Sequence, residues 1–295
     1  MRAVGLGENC YSARMSANRE DRAPNVRHIA SGDGWRLSEF ICDAGPDDRP
    51  FEERHDDVSI SAVVSGSFDY RTHAGAAFMH PGGILLGAAG RCYECGHEHG
   101  RGDRCVAYAF RPDYFAEIAC DATGQVDYEF ATPALPASLG LAPLAARAEA
   151  LVDAQALATE EAAIRFAHAA ARTAAGAPAT RGRIAARDKR RVADVLRFVE
   201  THADEALDLD RLAAIAGVSK FHFLRSFARV VGLTPYRYLL LTRLRRAGAA
   251  IAATDRPISE IAFDAGFGDL STFNAHFRAA MGANPCRWRR ERGQI

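Results

Sequence analysis

The sequence predicts an α+β protein of two domains: a β-rich N-terminal domain followed by helices, then an all-α C-terminal domain built on two helix-turn-helix units. Three observations predict it. Residues 33–110 alternate short β-type runs with Gly, Pro and Asp turns, the pattern becomes helical and Ala-rich from Tyr114 onward, and the last hundred or so residues hold an internal repeat with a period of about 50 residues. At 295 residues and 48% hydrophobic, the chain is long enough for two separate cores.

The β-type runs are GWRLSEFICD, DVSISAVVSGSFDYRT, GGILLGAA and RCVAYAF, at the spacing of a small all-β sandwich or barrel. No helix of ordinary length fits among them. The segment LAPLAARAEALVDAQALATEEAAIRFAHAAART is helical by pattern. GAPATRGRIAARDKRR, residues 176–191, is small, polar and basic and separates a first domain, 1–175, from a second, 192–295; it is read as the linker.

The formal net charge of zero conceals a division. Residues 1–180 carry 16 Arg/Lys against 25 Asp/Glu, a net of −9, and residues 181–295 carry 21 against 12, a net of +9. Either only the C-terminal half meets a polyanion, or the charge merely solvates a face. No stretch approaches the roughly 18–20 apolar residues that cross a bilayer, and MRAVGLGENCYSARMS has no apolar run flanked by positive charge, so a soluble, cytoplasmic protein is expected, with no membrane partner.

Laying LDLDRLAAIAGVSKFHFLRSFARVVGLTP over RPISEIAFDAGFGDLSTFNAHFRAAMGANP exposes the repeat. Leu209, Leu212, Ala213, Ala216 and Gly217 fall on Ile258, Ile261, Ala262, Ala265 and Gly266; Phe223, Phe227, Gly232 and Pro235 fall on Phe273, Phe277, Gly282 and Pro285. Each copy reads as a short amphipathic helix, a Gly turn, a side-chain cap (Ser219 or Asp269) and a second helix, with one extra residue in the second turn. With Phe223, Phe227 and Val230 pointing inward, Lys220, Phe221, Leu224, Arg225 and Ala228 face outward. With Phe273, Phe277 and Met281 inward in the second copy, Leu270, Ser271, Asn274, Ala275 and Arg278 face outward. Outward positions on the first half of such a helix are the ones that reach base edges in a major groove. Between the copies, TPYRYLLLTRLRRAGAAIAATDRPI reads as one helix from about Pro235 to before Pro257. Its roughly 19 residues span about 28 Å, comparable with the ~34 Å between successive major grooves. Arg237, Arg243, Arg245 and Arg246 lie along it as candidate phosphate contacts.

The run A-G-V-S-x-x-H-F-x-R-x-F, then G-x-T-P-x-x-Y-L-x-x-x-R, then I-x-E-I-A-x-x-x-G-F-x-D-x-S-x-F resembles the AraC/XylS signature over roughly residues 185–292. The resemblance implies a seven-helix DNA-binding domain, regulation of a promoter with RNA polymerase as a partner, and a separate sensing domain. Carried over position by position, it implies that Phe221, Leu224 and Arg225 read bases in the first unit and Ser271, Thr272 and Ala275 in the second. Two departures stand out: Ala275 replaces the usual long polar or basic residue, and Trp288 replaces the closing Tyr. The order of β domain, helices and DNA-binding domain further resembles a cupin-like β-barrel sensor with following helices that often dimerise, so a homodimer is expected.

Seven cysteines, an odd set without a secretory signal, argue against a disulfide framework. Within RCYECGHEHGRGDRC, Cys92, Cys95, His97, His99 and Cys105 offer thiolates and imidazoles, the donors Zn²⁺ prefers. The spacing matches no standard zinc finger. A metal site, a thiol redox switch and a packed turn are all open, and His55 with Asp56 and Asp57 could approach the cluster across the β domain. The reading is a non-enzymatic transcription regulator answering to a small molecule, metal or redox signal. Its competitor is a zinc-thiolate DNA repair protein, or a metal-dependent cupin-like enzyme, fused to an AraC-type domain. The mixture of His with Cys counts against the repair protein, which wants four sulfurs on zinc.

Overall fold

The computed structural model describes residues 24–48, 50–97, 100–138, 141–150, 156–176 and 184–291. Ten strands come first: β1 (Asn25–Gly32), β2 (Trp35–Cys42), β3 (Phe51–Arg54), β4 (Val58–Gly66), β5 (Phe68–Thr72), β6 (Gly75–Met79), β7 (Ile84–Gly87), β8 (Cys92–Gly96), β9 (Asp103–Phe110) and, after α1 (Pro112–Thr123), the short β10 (Ala134–Leu135). The β region therefore starts earlier than the sequence pattern suggested, at β1. The strands pair antiparallel into two sheets, in the orders β1-β2-β9-β4-β7-β10 and β3-β8-β5-β6. Among the described residues no ladder joins the two sheets, so the expected cupin-like β-barrel is instead a pair of facing sheets that does not close.

Alternation decides what each face of the larger sheet does. On β2, Trp35 and Leu37 pair with Phe110 and Tyr108 of β9 and face the helices α1 and α3 (Ala156–Ala175). The Ala-rich side of α3, with Ala163, Ala167 and Ala170 fully buried, lets the helix lie close to that sheet around Phe166. Each such buried aromatic contributes about 1.5–3 kcal/mol. The alternate residues of β2, Phe40 and Cys42, pair with Cys105 and Asp103 and face the smaller sheet.

After α2 (Ala142–Ala150) and α3 come α4 (Ala186–His202), α5 (Leu209–Ala216), α6 (Lys220–Val231), α7 (Pro235–Ala253), α8 (Ile258–Asp264), α9 (Leu270–Met281) and α10 (Pro285–Arg290). Among the described residues seven helices follow the linker region, the number the resemblance implied. Residues 186–191, assigned above to the linker, form the first turns of α4, and residues 177–183 lie outside the described residues. Two cores flank α7. Val192, Val195, Leu196, Phe223, Phe227 and Tyr238 build the first, and Leu244, Ile251, Ile261, Phe273, Phe277 and Trp288 build the second.

The two halves touch. Phe78 of β6 completes the first helical core, Lys189 of α4 pairs with the buried Asp69 at 2.5 Å, and the Arg147 guanidinium lies 3.7 Å from the Trp288 ring centroid. Among the described residues no helix is long and apolar enough to cross a membrane.

Candidate functional site

Each helix-turn-helix unit is locally specified. Ser219 accepts the His222 N–H at 3.4 Å and Asp269 accepts the Thr272 N–H at 2.8 Å, so both second helices carry the side-chain caps read from the sequence. Gly217 and Gly266 take φ of +63° and +86° in the turns. At Gly266 a Cβ would also lie 2.7 Å from the Asp204 carbonyl oxygen, so this glycine is needed for a close approach as well as for its backbone.

With Phe223, Phe227, Val230, Phe273, Phe277 and Met281 all buried, the outward faces are those expected. Lys220, Phe221 and Arg225 on α6 are exposed and Leu224 is half-buried; on α9, Leu270, Ser271, Thr272, Asn274, Ala275 and Arg278 are exposed. Phe221 is 74% exposed, which is far from the role of a core aromatic. Lys220 is held by Asp210 at 2.7 Å. α7 is one continuous helix of 19 residues.

The arginines of α7 mostly do something other than expected. Arg243 donates to the Ala203 and Glu205 carbonyls at 2.6 and 2.7 Å, and Arg246 donates to the Glu200 carbonyl. Arg245 is buried and pairs with Glu200 at 3.4 Å. These three tie α7 to α4 and its following loop, leaving Arg237 as the exposed one of the four.

A helix-turn-helix domain family matches residues 212–291. The right origin-binding protein of Escherichia coli K12 is 36% identical over 99 residues, which are 34% of this chain and 34% of that protein. The chain thus spans about a third of the length of that relative. The regulatory protein SoxS of Escherichia coli K12 is 32% identical over 98 residues, 33% of this chain but 92% of SoxS. The chain belongs to the AraC/XylS family of transcription regulators. A solved AraC-type DNA-binding regulator from Chromobacterium violaceum is 27% identical, covering 37% of this chain and 98% of the other, at a TM-score of 0.35. The family match falls on the C-terminal half of this AraC/XylS-family chain, over the two helix-turn-helix units whose outward faces on α6 and α9 are exposed.

Between the two β-sheets of the N-terminal half lies a cavity of about 350 Å³. Phe40, Phe68, Leu85 and Ala107 give it apolar walls; Glu53, His55 and Tyr93 give one polar side. His55 stacks on Tyr93 with ring centroids 4.0 Å apart, and its Nε2 lies 2.8 Å from the Tyr70 hydroxyl. Burial depresses its pKa to about 4, with Asp56 opposing the shift only partly. His55 thus lines the cavity but belongs to an aromatic set.

At another part of the wall the structure regroups the Cys/His cluster. The donor atoms of Cys42, His97 and Asp103 lie within 4.8 Å of one another. His97 donates from Nε2 to Asp103 Oδ2 at 2.6 Å, and the Cys105 thiol donates to Asp103 Oδ1 at 3.4 Å. Burial alone would depress the His97 imidazole, yet its bonds to Asp103 and Cys42 hold it up at about 9. Burial pushes the Cys95 and Cys105 thiols well above their ordinary range.

Of the five residues predicted as ligands, Cys95, His97 and Cys105 line this cavity. Cys92 does not, and its sulfur is in a disulfide. The reason the Cys-x-x-Cys pair fails is geometric, since Cys92 and Cys95 sit three apart on β8 and an odd offset on a strand sends side chains to opposite faces. His99 lies outside the described residues. Cys42 and Asp103 were missed because they meet only through the register of β2 with β9, where they are direct partners.

Proposed function

We propose that the protein is a sequence-specific transcription regulator that binds double-stranded DNA through α6 and α9 and answers to a small molecule held between its β-sheets. The observation that carries the reading is the mounting of two capped helices with exposed N-terminal faces about one rigid helix, α7. Its 19 residues give about 28 Å, near the ~34 Å separation of successive major grooves. A net charge of +9 on residues 181–295 suits a polyanionic partner.

The cavity supports the sensing half of the reading, because its volume and its mixture of apolar walls with a few polar groups suit a compact ligand. High thiol pKa values at Cys95 and Cys105 keep both protonated near neutral pH, which favours a bound ligand over thiol oxidation as the signal. From the family resemblance, the operator-bound form is a homodimer in the cytoplasm that works with RNA polymerase.

The test is a binding titration of the full chain on duplex DNA from the region upstream of its own gene, repeated across salt concentrations. Log affinity is expected to fall linearly with log salt, by about 0.9 for each phosphate neutralised. Salt-independent binding, or none, refutes the reading.

A further inference from the structure

We propose that Cys42, His97, Asp103 and Cys105 form a binding site for one zinc-class divalent cation at the cavity wall. The first three donor atoms already converge within 4.8 Å, and the Cys105 sulfur stands 3.4 Å from Asp103 Oδ1. The set of two sulfurs, one nitrogen and one oxygen is soft enough for zinc and has the coordination number of its tetrahedral sites. Zinc bonds of about 2.0–2.3 Å place tetrahedral donors about 3.3–3.8 Å apart, so the three converging donors close by at most about 1.5 Å, and the Cys105 sulfur, beside Asp103, turns in to complete the set.

The donors come from three places in the fold. Cys42 ends β2, Asp103 and Cys105 belong to β9, and His97 follows β8 in the opposite sheet. A cation there would fasten the two sheets to each other at a place where no ladder does. Burial separates this cluster from a surface group of acids, since the side chains of His97 and Asp103 are only 6% and 9% exposed. Around the Asp103–His97 hydrogen bond stand two thiols, Cys105 bonded to Asp103 and Cys42 bonded to His97, so two sulfurs, a nitrogen and a carboxylate meet where β2 pairs with β9. Loading the site moves the two thiol protons and the imidazolium proton of His97 to solvent, and the thiolates, the neutral imidazole and the carboxylate then hold the ion.

The cavity reaches the cluster and gives the ion its entry path. The site is independent of the DNA-reading helices, so its failure would leave the regulator reading standing, and loss of DNA binding would leave the site standing.

The experiment is a cobalt(II) titration of the full-length protein after chelator treatment, followed optically and then by displacement with zinc(II). The expected result is one ion per chain with a sulfur-to-cobalt charge-transfer band in the near ultraviolet. Cys42→Ser and Asp103→Asn should each weaken binding by about tenfold or more, while Cys120→Ser, an exposed thiol on α1, should leave it unchanged. The wild-type spectrum decides the matter even if a variant fails to fold. No stoichiometric ion, or an ion bound without a sulfur band, overturns the proposal, as does a band that survives Cys42→Ser in folded protein.

Discussion

His55→Gln should abolish a defined part of the protein's acid lability. The wild-type imidazole is held at about 4 by burial between Tyr70 and Tyr93, against an ordinary value of 6.5. A depressed folded pKa gives stability that is fully present above the unfolded value and is lost as pH falls toward the folded one. With those two values the linkage relation gives almost no loss at pH 7, about 2 kcal/mol at pH 5 and about 3 kcal/mol at pH 4. His97 does not imitate this acid limb, because its raised pKa of about 9 gives stability present below 6.5 and lost as pH rises through 9. Glutamine keeps a hydrogen-bonding group toward Tyr70 and removes the titration. The measurement is a set of urea-unfolding free energies at pH 7 and pH 5 for wild type and variant. Wild type should lose about 2 kcal/mol more than the variant between the two values. Equal losses would show that His55 is not held neutral by its surroundings, and the argument from burial would fall.

Two further outcomes follow from the helical half. Arg225→Ala should lower specific DNA affinity by about 1–3 kcal/mol and relax base preference at one step, while Ser271→Ala and Asn274→Ala cost less in the same fluorescence titration at fixed salt; the reverse ranking would move the main reader to α9. Gly266→Ala should lower stability by about 1–3 kcal/mol in thermal melts, because the added Cβ meets the Asp204 carbonyl at 2.7 Å in a backbone of positive φ. Gly217→Ala should cost less, about 1–2 kcal/mol, since nothing lies within 4 Å of its Cβ; equal costs would mean the contact with Asp204 is unimportant.

The helical domain was legible because its information is local. Helix spacing fixed which of Phe223, Phe227, Phe273 and Phe277 turn inward, and Ser219 and Asp269 cap their helices through residues only three positions away. The start of α7 at Pro235 needed nothing beyond the chain itself. Its arginines were harder, because a charged residue on a long helix reads the same whether it faces DNA or Glu200. Only packing of α7 against α4 assigned Arg245 and Arg246 to Glu200.

The sequence by itself determined the two helix-turn-helix units, the family and which residues lie on the outward faces of α6 and α9, since helices are written in contacts three and four residues apart. Tertiary structure alone decided the β domain. Whether its strands close into a barrel or stack as two sheets depends on which edges pair, and edge pairing is a contact between distant segments. The same holds for the cluster: Cys42 lies 61 positions before Asp103 yet faces it directly across β2 and β9, while Cys92, three residues from Cys95, is turned away. In a sheet, register and the two-residue alternation of faces override nearness in sequence, so the side chains that share a site are set by strand pairing.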